Sequence, residues 1–185
     1  VRSWGDGGVL SLWIDYHDDE MYNAVRSGKN KKACEYHYNE NRLCVRTVYP
    51  DLTEIRENYD DKYQLISRID EEGRQTKYTY NELSLITGII RPDSSKIQLE
   101  YDEEGRLIKK QNPEGDCVEW VYNEDDTLMK TIDENGVTSV FTYNQDKLVE
   151  KICNPDGEAI MLTYDGHNNL RKVVLPNGCM SEWKY

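Results

Sequence analysis

Tyr38, Tyr59, Tyr80, Tyr101, Tyr122, Tyr143, Tyr164 and Tyr185 stand 21 residues apart without a slip. A strict period of this length marks a repeat architecture, in which each unit is one supersecondary element that buries its apolar face only against its neighbours. The rest of the unit keeps the same register. Each of the first seven tyrosines is followed by Asp or Asn (Asn39, Asp60, Asn81, Asp102, Asn123, Asn144, Asp165). The five prolines, Pro50, Pro92, Pro113, Pro155 and Pro176, lie twelve residues after a repeat tyrosine, and Gly73, Gly115, Gly136, Gly157 and Gly178 lie fourteen after. A leucine follows each tyrosine by five or six residues, and a large side chain precedes it by two, as at Tyr36, Tyr78, Leu99, Trp120, Phe141, Leu162 and Trp183; Glu57 is the exception.

Taken through one unit, the pattern reads as a hairpin. Asp102 to Gly105 is a turn, Arg106 to Gln111 a strand, Asn112 to Gly115 a second turn, and Asp116 to Tyr122 a second strand. Asx side chains bond their own backbone, Pro presets φ, and Gly accepts φ > 0 later in the turn. Val118, Trp120 and Tyr122 share a face by alternation, and in the first strand Leu128 is read in phase with Ile132, Leu148 with Ile152 and Leu170 with Val174, so that one face of every strand is apolar. Where leucine follows tyrosine by five (Leu43, Leu85, Leu148), a bulge or longer turn is expected before the proline position.

Before Tyr38 the pattern weakens. Leu10, Leu12, Ile14 and Tyr16 alternate as in a strand after a Gly7-Gly8 turn, and the step from Tyr16 to Tyr38 is one residue too long, an excess assigned to the charged loop from Ser27 to Lys32. Residues 1–37 are therefore read as a degenerate repeat with an inserted loop, and 38–185 as seven 21-residue repeats in one continuous array.

Composition agrees with a folded sheet. Only 37% of the 185 residues are hydrophobic and 31% are charged, which would suit disorder, but Tyr occurs 14 times and disordered chains are poor in aromatics. The net charge of −12 disfavours nucleic acid and anionic membrane as partners. No apolar run approaches the roughly 20 residues of a spanning helix. With neither a signal peptide nor an initiator Met at Val1, the chain is read as a piece of something longer. Five cysteines without a C-x-x-C pair argue against a disulfide framework and a zinc site. About 16 strands at about 4.8 Å each would make a flat sheet about 75 Å wide, and open sheets seldom exceed about ten strands without curling. The expected fold is all-β: antiparallel β-hairpin repeats forming a curved, solenoid-like ribbon.

The run Tyr101-Asp102-Glu103-Glu104-Gly105-Arg106-Leu107, followed by Asn112-Pro113-Glu114-Gly115 and closing at Trp120-Val121-Tyr122, resembles the YD repeat of RHS proteins. Their relatives are the B and C components of insecticidal toxin complexes, bacterial wall-associated proteins and animal teneurins. The resemblance runs from about Leu10 to Tyr185, and Arg2 to Gly8 is similar to a segment of bacterial RHS proteins. It implies a β-ribbon that spirals into a hollow shell around a toxic C-terminal domain, in a bacterial protein made in the cytoplasm and secreted or delivered. Only the Tyr101 unit carries the full Y-D-x-x-G-R-L, and neither the family's self-cleaving core nor a toxin domain is recognisable.

Catalytic and metal-binding patterns are weak. The acidic turns at Asp102-Glu103-Glu104 and Asp133-Glu134 match no EF-hand or calcium β-roll spacing, and His17, His37 and His167 fit no paired-ligand motif. The expectation is a non-enzymatic shell segment without cofactor or metal. Its partners are neighbouring repeats and the enclosed C-terminal domain, and its exposed edges favour edge-to-edge self-association. The alternative is a carbohydrate-binding adhesion module that uses the aromatic ladder. The residues singled out as repeat-defining are the eight tyrosines and Gly73, Gly115, Gly136, Gly157 and Gly178.

Overall fold

The computed structural model describes residues 33–185 and the strand backbones 12–17 and 22–27. Gly7-Gly8, the segment 2–8 and the loop 28–32, assigned roles above, lie outside the described residues. Seventeen strands are present among the described residues, every pairing is antiparallel, and the chain divides into two compact units, Val1–Lys96 and Ile97–Tyr185.

The first unit contains β1 (Leu12–His17), β2 (Tyr22–Ser27), β3 (Ala33–Tyr38), β4 (Cys44–Val48), β5 (Glu54–Tyr59), β6 (Leu65–Ile69), β7 (Gln75–Tyr80) and β8 (Ile86–Ile90). The second is built from β9 (Lys96–Tyr101, from Ile97 onward), β10 (Leu107–Gln111), β11 (Cys117–Tyr122), β12 (Leu128–Ile132), β13 (Thr138–Tyr143), β14 (Val149–Cys153), β15 (Ala159–Tyr164), β16 (Leu170–Val174) and β17 (Met180–Glu182). Within each unit, consecutive strands pair as a meander. The all-β, antiparallel hairpin architecture read from the 21-residue period is the one observed.

Every repeat carries a bulge at one place. Tyr122 pairs with Leu128 while Val121 pairs with Lys130, so Met129 is the extra residue. The same slip occurs between Tyr59 and Leu65, Tyr80 and Ile86, Tyr101 and Leu107, Tyr143 and Val149, and Tyr164 and Leu170. The bulge expected before the proline position, and only in some units, is therefore corrected: those ends of the ladders run without a shift. Leu43, Leu85 and Leu148 do not shorten a strand. Each closes the turn at the position that Gln64, Arg106 or Thr127 holds elsewhere, accepting the same backbone bond.

The bulge also corrects the assignment of faces. Pairing across the ladder puts Trp120 with Thr131, Phe141 with Ile152 and Leu162 with Val173 on the tyrosine side. Ile132 pairs with Glu119 and Val174 with Met161, on the opposite side, so Leu128 and Ile132 do not share a face. One extra residue inverts the alternation behind it. Both faces are consequently part apolar and neither is sealed. Ile55, at 6% exposure, is the one buried hydrophobic residue among those described. Stability then rests on cross-strand pairs between neighbours, each worth about 0.2–1 kcal/mol, rather than on a central core.

Candidate functional site

Among the described residues fourteen turns, from Asn39 onward, join consecutive strands, and all follow one plan. The N–H of the first residue donates to the carbonyl of the fifth, and the N–H of the fourth donates back to the first, as with Asp102 to Arg106 (3.0 Å) and Gly105 to Asp102 (3.1 Å). The fourth residue sits at positive φ in each, the three-residue hairpin geometry that ends in a left-handed residue. Gly73, Gly115, Gly136, Gly157 and Gly178 all occupy this position, where an added Cβ would meet nothing within 4 Å. Their role is backbone conformation, not clearance. Arg42, Leu52, Tyr63, Ser84, Ser94, Asp126, Lys147 and Asn168 hold the same conformation with a side chain.

The Asp or Asn after each tyrosine folds its carboxyl or amide back on the turn. Asp60 Oδ1 accepts from the amides of Lys62 and Gln64 (2.9 Å each), Asn144 Oδ1 from Asp146 and Leu148 (3.0 and 2.9 Å), and Asp165 Oδ1 from His167 and Asn169 (2.8 and 3.0 Å). The His167 amide, then the side chain and amide of Asn169, hold the Asp165 carboxyl below the usual carboxylate range. In Asp102 burial works to raise the carboxyl, but the Arg106 guanidinium and amide outweigh it and keep it low.

The repeat tyrosines end their strands with the hydroxyl turned onto the backbone of the preceding repeat. Tyr80 OH donates to Leu65 O (2.8 Å), Tyr122 to Leu107 O (2.9 Å), Tyr143 to Leu128 O (2.7 Å) and Tyr164 to Val149 O (2.8 Å), always fifteen residues back. The acceptor Leu107 is itself the ladder partner of Tyr101, so each tyrosine reaches the backbone beside its predecessor. Tyr59 shares its hydroxyl between Cys44 O (3.2 Å) and Glu57 Oε2 (3.1 Å), and burial, reinforced by the Glu57 carboxylate, pushes this phenol up to about 12. Glu57, the break in the row of large side chains, faces Arg68 across the ladder at 3.9 Å. Tyr38 and Tyr101 close β3 and β9, while Tyr185 lies beyond β17, 82% exposed.

Two cations tie successive tips together. Arg106 donates to Asp102 (2.7 Å) in its own turn and to Asp126 (2.7 Å) in the next, and its guanidinium lies over the Tyr122 ring. Lys147 reaches back to the same tip, at 3.0 Å from the Asp125 carbonyl and 3.3 Å from its carboxylate. The sequence pattern does not show these contacts, although the arginine of the Y-D-x-x-G-R-L run is the residue that makes the first set of them.

Shallow, open depressions of about 700, 690 and 500 Å³ lie beside the tips. Their linings are equivalent by whole repeats: Asp60, Asp102 and Asn123; Tyr78, Trp120 and Phe141; Tyr80, Tyr122 and Tyr143. The hollow is thus a property of the repeat and not one specialised site. Among the described residues no group of three or more His, Cys, Asp or Glu is placed to hold a metal ion.

Comparison with known proteins agrees with this geometry. The teneurin YD-shell family matches over residues 46–120 and 116–184. Among solved structures, a TcdB2-TccC3 structure without its hypervariable C-terminal region superimposes with a TM-score of 0.71 at 12% identity, covering 90% of this chain and 10% of that one. TcdB2-TccC3 itself gives 0.63 at 12% identity over 89% and 11%, and the Tc holotoxin pore of Photorhabdus luminescens gives 0.59 at 14% over 90% and 9%. The chain spans about a tenth of the length of these structures. No curated protein sequence matches it significantly. With a 21-residue hairpin unit, a tyrosine bonded back to the preceding repeat, and a family match over most of its length, the chain belongs to the teneurin YD-shell family of RHS/YD-repeat proteins.

Proposed function

We propose that this chain is a structural segment of an RHS-type β-shell that encloses a C-terminal toxin or other cargo before delivery from a bacterial cell, and that it performs no chemistry itself. The observation that carries this reading is the commitment of its conspicuous polar groups to neighbouring backbone. The tyrosine hydroxyls are spent on carbonyls one repeat back, and the Asp and Asn side chains on their own turns. Side chains so occupied build a wall. Residues 38–185, as seven repeats in register, are the working part of this wall, with the eight tyrosines and five turn glycines as its defining positions.

Limited proteolysis tests the proposal. In the full-length parent the region downstream of the shell should resist added protease, and deletion of residues 38–185 should render it sensitive. Equal sensitivity of the two proteins rejects the enclosure.

A further inference from the structure

Arg106 fills a hollow that an earlier repeat leaves open. In the depression of about 500 Å³ its guanidinium lies 4.9 Å from the centroid of the Tyr122 ring and bonds Asp102 Oδ2 (2.7 Å), Asp126 (2.7 Å) and the carbonyl of Asn123 (3.3 Å). The depression of about 690 Å³ also holds a cation of its own, Lys147, 3.3 Å from the Asp125 carboxylate.

The depression of about 700 Å³ has the receiving groups without the guanidinium. Two repeats earlier in the chain, Asp60 stands for Asp102, Tyr80 for Tyr122 and Asn81 for Asn123, while Gln64 stands for Arg106. The local frame is the same: Asp60 Oδ1 accepts from the Gln64 amide and Tyr80 OH donates to Leu65 O, as Asp102 Oδ1 accepts from the Arg106 amide and Tyr122 OH donates to Leu107 O. The second carboxylate oxygen differs. Asp Oδ2 is bonded in other tips by the side chain of the fifth residue, Arg74 (2.8 Å), Arg106 (2.7 Å) or Asn169 (3.1 Å). Gln64 does not serve Asp60 in this way, since its amide nitrogen is buried without a partner among the described residues. Asp60 Oδ2 is thus left to the hollow.

Charge and apolar surface point the same way. Asp60, Asp61 and Glu82 line the hollow against one cation, Lys62, which has no carboxylate within ion-pair distance among the described residues. Ile66, 39% exposed, also lines it, and the two tips that bound it carry Tyr63 and Leu83 at 58% and 56% exposure. Tyr63 holds the left-handed position (φ 64) that Gly105 fills in the Arg106 tip, at a conformational cost that glycine avoids.

We propose that this hollow binds an arginine side chain of a basic partner polypeptide, with the guanidinium over Tyr80 and against Asp60, and with apolar side chains of the partner on Ile66, Tyr63 and Leu83. A planar fork bonded to a carboxylate while it covers a ring is the arrangement Arg106 displays, and an ammonium does not reproduce it. A second copy of this chain is disfavoured as the occupant, because each copy carries a net charge of −12. The site follows from comparing repeats within the chain and does not rest on the shell assignment.

The test uses the 185-residue chain and the labelled peptide Gly-Leu-Gly-Arg-Gly-Leu-Gly, with counterparts in which lysine or citrulline replaces the arginine, followed by fluorescence anisotropy. Citrulline keeps the shape of arginine without its charge, and in an extended chain both leucines leave the same side as the central residue. The arginine peptide should bind saturably, the lysine peptide several-fold more weakly and the citrulline peptide not at all, with affinity falling as salt rises. Asp60→Asn keeps the tip, since Asn39, Asn81, Asn123 and Asn144 occupy that position elsewhere, and should weaken binding by roughly tenfold, about what one charge-assisted hydrogen bond supplies. Gln64→Arg should abolish binding by filling the hollow as Arg106 does, without lowering the urea midpoint. Lys62→Gln should tighten binding, and Asp133→Asn, at the opposite edge of the ribbon, should leave it unchanged. Absence of saturable binding, equal binding of the arginine peptide and either counterpart, or wild-type affinity in Gln64→Arg overturns the proposal. So does salt-sensitive self-association of the chain that Asp60→Asn abolishes, since the occupant would then be a second copy.

Discussion

The guanidinium of Arg106 lies 4.9 Å from the centroid of the Tyr122 ring. The two residues belong to consecutive repeats, and the same guanidinium bonds Asp102 in one tip and Asp126 in the next. Arg106→Ala should therefore lower the urea midpoint by more than Arg106→Lys, which keeps a charge but not the planar fork that serves both carboxylates and the ring. Added salt should narrow the difference between wild type and Arg106→Ala. An unchanged midpoint for Arg106→Ala would remove this contact from the stabilising set.

Loss of one tyrosine hydroxyl should be felt at one step only. Tyr143→Phe deletes the donor to Leu128 O and leaves that carbonyl to find another partner, at a cost of about 1 kcal/mol. Tyr185→Phe, at a position 82% exposed, should change nothing measurable. Paired urea titrations decide between them.

The turns offer a stabilising change as well. Leu52 sits at φ 71 with 83% exposure, in a conformation that costs a side-chain-bearing residue about 1–2 kcal/mol and that glycine adopts freely. Leu52→Gly should raise stability by about 1 kcal/mol. Gly115→Ala, at φ 97 with open space around it, should lower stability through backbone conformation alone.

Acid should loosen the tips. Hydrogen bonds from the Thr127 hydroxyl and amide lower Asp125, those from Ser95 lower Asp93, and those of the His167 and Asn169 groups lower Asp165. A carboxyl depressed in the folded state contributes stability that is fully present above its unfolded value and disappears as pH falls through the folded one. The transition midpoint should accordingly decline below about pH 4, with Asp165→Asn insensitive to its own share of that loss.

Alkali acts on the other set. Burial raises Tyr36, Tyr80 and Tyr143, and carries Tyr59 to about 12. A phenol raised in the folded state contributes stability that is complete below its unfolded value near 10 and is lost as pH rises through the folded one. Spectrophotometric titration should find these tyrosines ionising above the ordinary phenol value near 10, and unfolding should accompany that late phase.

The period of the tyrosines, the asparagine or aspartate after them, and the proline and glycine of the far turn were enough to place hairpins and tips, because each answers a local backbone demand within five residues. The bulge was mislocated because its cause is not local. It is set by how Tyr122 faces Leu128 across a ladder, and no residue type announces it; Val45, Ile66, Ile108, Met129, Glu150 and Arg171 all fill the extra place. The tip bridges of Arg106 and Lys147 were hidden for a related reason, since their partners lie about one repeat further along or back in the chain. The tyrosine hydroxyls were visible as a row, but a hydrogen bond to a carbonyl fifteen residues earlier leaves no trace in residue identity.

The fifteen-residue reach of the tyrosine hydroxyl also sets an arithmetic of tolerated insertions and deletions. Excising residues 123–143 would join Tyr122 to Asn144, and Tyr164 would still find Val149 fifteen places back, with the tip caps and left-handed positions intact. Removing twenty or twenty-two residues would instead mispair a donor with its acceptor and turn a strand over. The array from Tyr38 to Tyr185 can therefore lengthen or shorten only in whole steps, like a ladder whose rungs are cut to one gauge, and its size becomes a quantity that is counted.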